Sequence, residues 1–285
     1  MLKLHDKMLQ DMQLRGFSPN TQRTYLNHLR HFEKFFQKPA KQMGVENLRN
    51  YLLHLITVKK VSGEYVDSVY SALKFFYETT LGHTWNMKEI PRLKRTLKLP
   101  VVLSRNEIKQ LLAVTSNLKF KAMFMTAYAA GLRVSEIAHL KISDIDSENK
   151  QILVCQGKGN IDRYTLLSTV HLEILRQYWR QYRPQEWLFP GKLPGQPIRT
   201  RAIQDAFLKM RNRAGINKKA SIHSLRHSFA THLMENGTDV VRIQRLMGHA
   251  QISTTLLYLQ VAKVKLLQVK SPLDLLNEED DKHES

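Results

Sequence analysis

Two arginines, a lysine, two histidines and a tyrosine, spread over five short stretches of this chain, are the side chains that phosphodiester transfer without a metal ion requires. The stretches are Gly131-Leu132-Arg133-Val134-Ser135-Glu136, Gly157-Lys158-Gly159-Asn160, His223-Ser224-Leu225-Arg226-His227, Gly248-His249 and Ser253-Thr254-Thr255-Leu256-Leu257-Tyr258. A phosphodiester at its pentavalent transition state gathers negative charge on its equatorial oxygens, and a guanidinium meets such oxygens bidentately at any accessible pH. Each residue alone is a weak signal. A tyrosine in a helical segment is usually a half-buried packing group, an arginine at a helix end usually faces solvent, and a lysine at a hairpin tip usually only rides the turn. The order and spacing of the whole set carry the information.

In that order, His-x-x-Arg, Gly-His and Ser-Thr-Thr-x-x-Tyr resemble the tyrosine recombinases of the phage-integrase and Xer class. The resemblance covers residues 103–258 and, more loosely, the N-terminal helical half. It implies a mainly α fold of two domains: an N-terminal helical bundle of the SAM-like, core-binding kind, and a mixed α/β, mostly helical catalytic domain with a small antiparallel sheet. The activity it implies is site-specific DNA recombination through a covalent 3′-phosphotyrosine intermediate, with an integrase or transposase of a mobile element preferred. The alternatives are Xer-type resolution of chromosome or plasmid dimers, a type IB-like topoisomerase and, outside enzymes, a DNA-binding architectural protein. One tyrosine serves one strand, so exchange between two duplexes implies a homotetramer on paired double-stranded DNA sites.

The expected catalytic set is then Arg133, Lys158, His223, Arg226, His249 and Tyr258. Tyr258 attacks phosphorus, and its phenol, with an ordinary pKa of about 10, needs cations or a base as the proton leaves. Arg133 and Arg226 clamp the nonbridging oxygens, with Glu136 able to hold Arg133 in place. His223 can accept the tyrosine proton or donate to a phosphate oxygen, and His249 can donate likewise. Spacing allows His227 as well as His223 on one helical face; the family pattern selects His223. Lys158, at a hairpin tip, can reach the leaving 5′ oxygen as an acid. No cofactor is expected. Zinc held by His223, His227, His232 and His249 is a weaker reading, since there is no His-Glu-x-x-His and no cysteine partner.

The chain has 285 residues, with 44 Lys and Arg against 25 Asp and Glu and a formal charge of +19. An extended polyanion is the natural partner for such a charge. No apolar run is long enough to cross a bilayer, residues 1–10 lack the core of a signal peptide, and the lone Cys155 suits a reducing compartment, so a cytoplasmic protein is expected.

Several elements must position the site. Residues 1–90 read as the core-binding bundle, its helices beginning at Ser18-Pro19 and repeating apolar residues at helical spacing, with Arg15, Arg23, Arg30 and Lys34 as candidate phosphate contacts. Residues 91–100 read as a cationic linker that can lie on a DNA backbone gripped by both domains, clamp-like. Residues 101–270 form the catalytic domain. It opens on the capping box Ser104-Arg105-Asn106-Glu107, continues through a helix stopping at Gly131, and includes strands over 151–155 and 163–167. Helices follow over 200–214, 225–235 and 240–247. At about 100° per residue, His249 and Tyr258 on one unbroken helix would face opposite sides. The helix must therefore break near Gly248, with Ser253 or Thr254 capping a short new helix that carries Tyr258. Residues 261–276 can dock on a neighbouring protomer or fold back, and 271–285 read as an acidic, disordered tail.

Overall fold

The computed structural model describes residues 4–84, 90, 92–93, 99–155 and 162–262. The chain divides into two compact units, Met1–Leu97 and Lys98–Ser285.

The first unit is a helical bundle of α1 (Leu4–Leu14), α2 (Pro19–Phe36), α3 (Val45–Thr57) and α4 (Gly63–Phe75), the last running into a π-helical turn, Phe76–Thr80. Ser18 caps α2 by accepting from the Thr21 amide at 3.2 Å, with Pro19 in the first turn, as such a dipeptide predicts. Phe32, Tyr51, Leu55, Leu73 and Phe76 build the core. α1 precedes the expected start at Ser18-Pro19. Its Met8 and Met12 are fully buried and Leu4 and Leu9 pack against the same core, an apolar stripe at helical spacing that a reading starting at Ser18-Pro19 passes over. Arg15, Arg23, Arg30 and Lys34 are all exposed. In the linker, Arg92 pairs with Asp67 (Nη2 to Oδ2, 3.1 Å) and lies over the Tyr70 ring. Most of the remaining linker lies outside the described residues.

The second unit begins with α5 (Arg105–Val114) and α6 (Leu118–Ala129). The Ser104 and Glu107 capping box forms as expected: the Ser104 amide donates to Glu107 Oε2 at 2.6 Å, and the Glu107 amide donates to Ser104 Oγ at 3.2 Å. α6 gives way to Gly131, whose φ is +64° and where a Cβ would fall 2.4 Å from Phe229 Cδ1, so glycine is required for both backbone and space. A short α7 (Val134–Ala138) follows directly. The sheet is β1 (Ile145–Asp146), β2 (Gln151–Val154) and β3 (Arg163–Leu166), antiparallel in the order β1-β2-β3, with Ile152 opposite Thr165 and Val154 opposite Arg163. The hairpin tip, with Lys158, lies outside the described residues.

Helices α8 (Thr169–Tyr182), α9 (Thr200–Arg213), α10 (Ile222–Glu235), α11 (Val240–Met247) and α12 (Ile252–Leu256) complete the unit. α10 starts three residues before the expected Leu225, so His223 and Arg226 both ride on it. It is buried on most sides and carries Leu225 into the main core and Phe229 into a smaller cluster with Ile243, Met247 and Tyr258. α11 ends at Gly248 with φ +61°, the break that the 249 to 258 spacing demands. The expected cap is corrected: Gln251, neither Ser253 nor Thr254, occupies the cap position of α12, and Tyr258 lies beyond the helix among turn residues. Five helical residues end before the chain reaches it. The segment from residue 263 onward lies outside the described residues.

Candidate active site

Glu136 is the hub around which the cations gather. Arg133 sits at the cap position of α7, so its amide donates to Glu136 Oε2 at 2.8 Å while its Nη1 reaches Oε1 at 2.7 Å. Arg163, at the start of β3, donates to both carboxylate oxygens at 3.0 and 2.8 Å and, through Nε, to the Leu246 carbonyl at 2.9 Å. Arg226 Nη1 lies 3.7 Å from the same carboxylate. Burial alone would raise the Glu136 carboxyl, but the bonds and charge of Arg163, with help from Arg133 and Arg226, hold it down at about 2. Three guanidinium groups around one carboxylate leave a surplus of positive charge among the described residues.

Arg226 is 4% exposed and is anchored almost entirely by main chain. Its Nη1 donates to the Gly131 carbonyl at 2.5 Å and its Nη2 to the Met247 carbonyl at 2.6 Å. Burial, and then Arg133, pull this guanidinium down to about 9, the expected result for a cation enclosed beside another cation. An anion seated there favours the charged form and so opposes both effects. Arg133 adds Nη2 to the Gly248 carbonyl at 3.3 Å, so the ends of α6 and α11 jointly set the two guanidiniums expected to act as a clamp.

His249 follows Gly248. Its Nε2 is 3.1 Å from Arg226 Nη2, and since a guanidinium can only donate, Nε2 accepts and the ring proton sits on Nδ1, donating to Thr255 Oγ1 at 2.9 Å. Burial and the charges of Arg226, Arg133 and Arg163 hold this imidazole neutral, at about 3. Gln244 Nε2 fixes the loop by donating to the His249 carbonyl at 3.0 Å. Tyr258 is 3% exposed, its ring 6.2 Å from that of His249 and nearly parallel to it. Burial raises its phenol pKa, opposed by Arg226 and Arg133. Its Oη lies 3.0 Å from His227 Nδ1. His227 is in turn held down at about 4 by burial, then by His223 and Arg226.

The structure thus brings Arg133, Arg226, His249 and Tyr258 into one neighbourhood. His223 is on the same helix as Arg226 but at an exposed position, its pKa lowered by its packing and by Arg226 and Arg133. Lys158 lies outside the described residues. Among the described residues no group of three or more potential ligands is arranged to hold a metal ion, and His232 instead pairs through Nδ1 with the Tyr128 hydroxyl at 2.9 Å. Sequence reasoning missed Arg163 and Thr255. Arg163 meets partners 27 and 83 residues away, which no local pattern reveals. Thr255 belongs to a quoted motif, but its hydroxyl acquires meaning only once the chain folds back on His249.

Residues 101–265 match the model of the phage integrase family, and residues 4–87 match that of the phage integrase N-terminal SAM-like domain. The chain belongs to the phage integrase family. Within the family it is 43% identical over 277 residues to y4qK of Sinorhizobium fredii, itself an inferred integrase/recombinase, covering 97% of this chain and 90% of that one. It is 31% identical to the tyrosine recombinase XerC of Halalkalibacterium halodurans, covering 90% of this chain and 91% of the relative. Among solved structures, XerA recombinase is 27% identical with a TM-score of 0.53 and coverage of 99% and 98%. A lambda integrase dimer bound to a COC' core site shares the fold at a TM-score of 0.74 with 17% identity, over 94% of this chain and 97% of the other. The two-domain, mostly helical architecture with a small antiparallel sheet is that of this integrase family. Among the described residues no helix is long and apolar enough to cross a membrane.

Proposed function

We propose that this member of the phage integrase family is a cytoplasmic site-specific recombinase in which Tyr258 attacks a DNA phosphodiester held by Arg133 and Arg226. The observation that carries this reading is the surplus positive charge around Glu136, with the Tyr258 phenol nearby. A phosphate entering there supplies the missing anion, and its growing charge at the transition state strengthens the interaction with both guanidiniums. His223 contacts a phosphate oxygen, and His249 does so once the phosphate takes Arg226 from its Nε2 and draws a proton onto that nitrogen. Lys158 delivers a proton to the leaving 5′ oxygen. Tyr258 stands on turn residues rather than inside a helix, a short tether on which the phenol can approach phosphorus.

The bond energy is kept in the phosphotyrosyl link, so rejoining needs no nucleotide. Four protomers on paired sites provide the four tyrosines that two duplexes require. A mobile-element integrase or transposase is the preferred role, with Xer-type dimer resolution as the alternative. The test uses a pool of nicked duplexes with a randomised core. Wild-type protein is expected to trap a covalent adduct on a subset of the pool and Tyr258→Phe to trap none while still binding. Failure of wild type to form any adduct rejects the reading, and exchange between two marked copies of the recovered site separates a recombinase from a topoisomerase.

A further inference from the structure

The Glu136 carboxylate has its acceptor sites filled. Oε1 accepts from Nη1 of Arg133 at 2.7 Å and Nη1 of Arg163 at 3.0 Å, and Oε2 accepts from the Arg133 amide and from Nη2 of Arg163, both at 2.8 Å. These donors match the roughly four lone-pair sites of an ionised carboxylate, which fixes its orientation. Arg163 supplies half of them. Its side chain is 8% exposed and its remaining nitrogen, Nε, donates to the Leu246 carbonyl, so each of its nitrogens is directed at a protein oxygen. Arg133, at 21% exposed, is the more open of the two. We propose that Arg163 is a positioning residue for strand transfer, which takes up the charge and the lone pairs of Glu136 and so leaves Arg133 and Arg226 uncompensated for the phosphate. The proposal rests on the strand-exchange reading above and deepens it.

With Arg163 in place, three guanidiniums and one carboxylate carry a surplus of two charges among the described residues; without it the surplus is one. The carboxylate would still stand 2.7 Å from Arg133 and 3.7 Å from Arg226, having lost the partner that competes for it. Glu136 would then rival the phosphate for the clamp. An arriving phosphate does not undo the native arrangement, because an anion at Arg133 and Arg226 repels the carboxylate and leaves it to Arg163. The fold also places Arg163 without help from a substrate. It stands opposite Val154 in the ladder between β2 and β3, and its Cδ lies so close to Gly248 that a Cβ there would fall 2.8 Å away. Arg163 touches no phosphate oxygen in this scheme; it acts through Glu136 on the groups that do.

The experiment compares the nicked duplex recovered above with the same duplex carrying a neutral methylphosphonate at the scissile position. Strand cleavage at saturating protein is read as release of the 5′-hydroxyl fragment. A methylphosphonate has one negative charge fewer than the diester in both the ground and the transition state, so a defect of charge shrinks on it and a defect of folding does not. Arg163→Met is expected to slow cleavage of the diester about 30-fold and of the methylphosphonate by under about threefold. Arg163→Lys returns the charge without the fork and should recover about tenfold of the diester loss. Both variants are assayed below their melting transitions.

Equal loss on the two substrates means that Arg163 supports the fold alone and overturns the proposal. Diester cleavage by Arg163→Met at the wild-type rate overturns it, as does an Arg163→Lys rate no faster than that of Arg163→Met. Should Arg163→Met melt below the assay temperature, the two substrates are compared with Arg163→Lys, whose loss must likewise shrink on the methylphosphonate or the proposal falls. If wild type forms no adduct with the diester, the reading of the whole site fails and this assignment with it, an outcome distinct from the others.

Discussion

Replacing Arg163 by methionine preserves most of the side chain's length and removes all its donors. The guanidinium is 8% exposed and makes two bonds to Glu136 and one to the Leu246 carbonyl; Glu136, at 6% exposed, would keep its hydrogen bonds to Arg133 and the more distant Arg226 at 3.7 Å. A carboxyl held at about 2 against its ordinary 4.5 is stabilised as the anion by about 3 kcal/mol, at 1.36 kcal/mol per pH unit. Removal of one partner from a buried ion pair costs roughly 3–5 kcal/mol, a range that agrees. Arg163→Met is therefore expected to destabilise the second unit by about 3 kcal/mol at pH 7, read as a lower urea midpoint by the fluorescence of Trp179 and Trp187. The sign with pH follows from the depressed carboxyl. Its stabilisation is fully present above about 4.5 and is lost as pH falls through about 2, so the gap between wild type and variant should narrow across that window. A gap below about 1 kcal/mol at pH 7, or one that stays constant down to pH 2.5, would refute Arg163 as the main support of the Glu136 anion.

Gly248→Ala should cost about 1–3 kcal/mol in thermal unfolding, because φ is +61° and the new Cβ would meet Arg163 Cδ at 2.8 Å; it should also slow adduct formation by displacing Arg163 and His249 together. Thr255→Val leaves His249 Nδ1 without its acceptor inside the fold, at a cost of about 1–3 kcal/mol, and the measurement is a urea titration beside the adduct rate. Joint replacement of Arg23, Arg30 and Lys34 by glutamine should flatten the dependence of log affinity on log salt by about 0.9 for each phosphate these side chains neutralise; an unchanged slope would mark them as ordinary solvated surface.

Where local rules set local structure, the sequence was readable. The Ser18-Pro19 start, the box at Ser104 and Glu107, the stops at Gly131 and Gly248, and the hairpin strands all follow from turn and cap chemistry acting over four or five residues. The charge surplus was readable only in part. Arg133, Glu136 and Arg226 could be named from their motifs, but the guanidinium that does most to hold Glu136 ionised begins a strand, where an arginine ordinarily points to solvent. Spacing could not rank His223 against His227, since both share a face of α10; the choice depends on where the chain brings Tyr258 after α12, a tertiary fact. The helix α1 was legible too, since Leu4, Met8, Leu9 and Met12 recur at helical spacing, but the stronger start signal at Ser18-Pro19 drew the first helix there.

Four main-chain carbonyls, of Gly131, Leu246, Met247 and Gly248, hold the three guanidiniums at the centre. A peptide oxygen is common to every amino acid, so drift in the neighbouring side chains leaves these anchors chemically intact, while an inserted or deleted residue near either helix end would misplace all of them together. Retargeting this protein to new sequences is therefore best attempted by exchanging exposed side chains at constant loop length, and libraries that vary the length around 131 or 248 should yield mostly inert molecules.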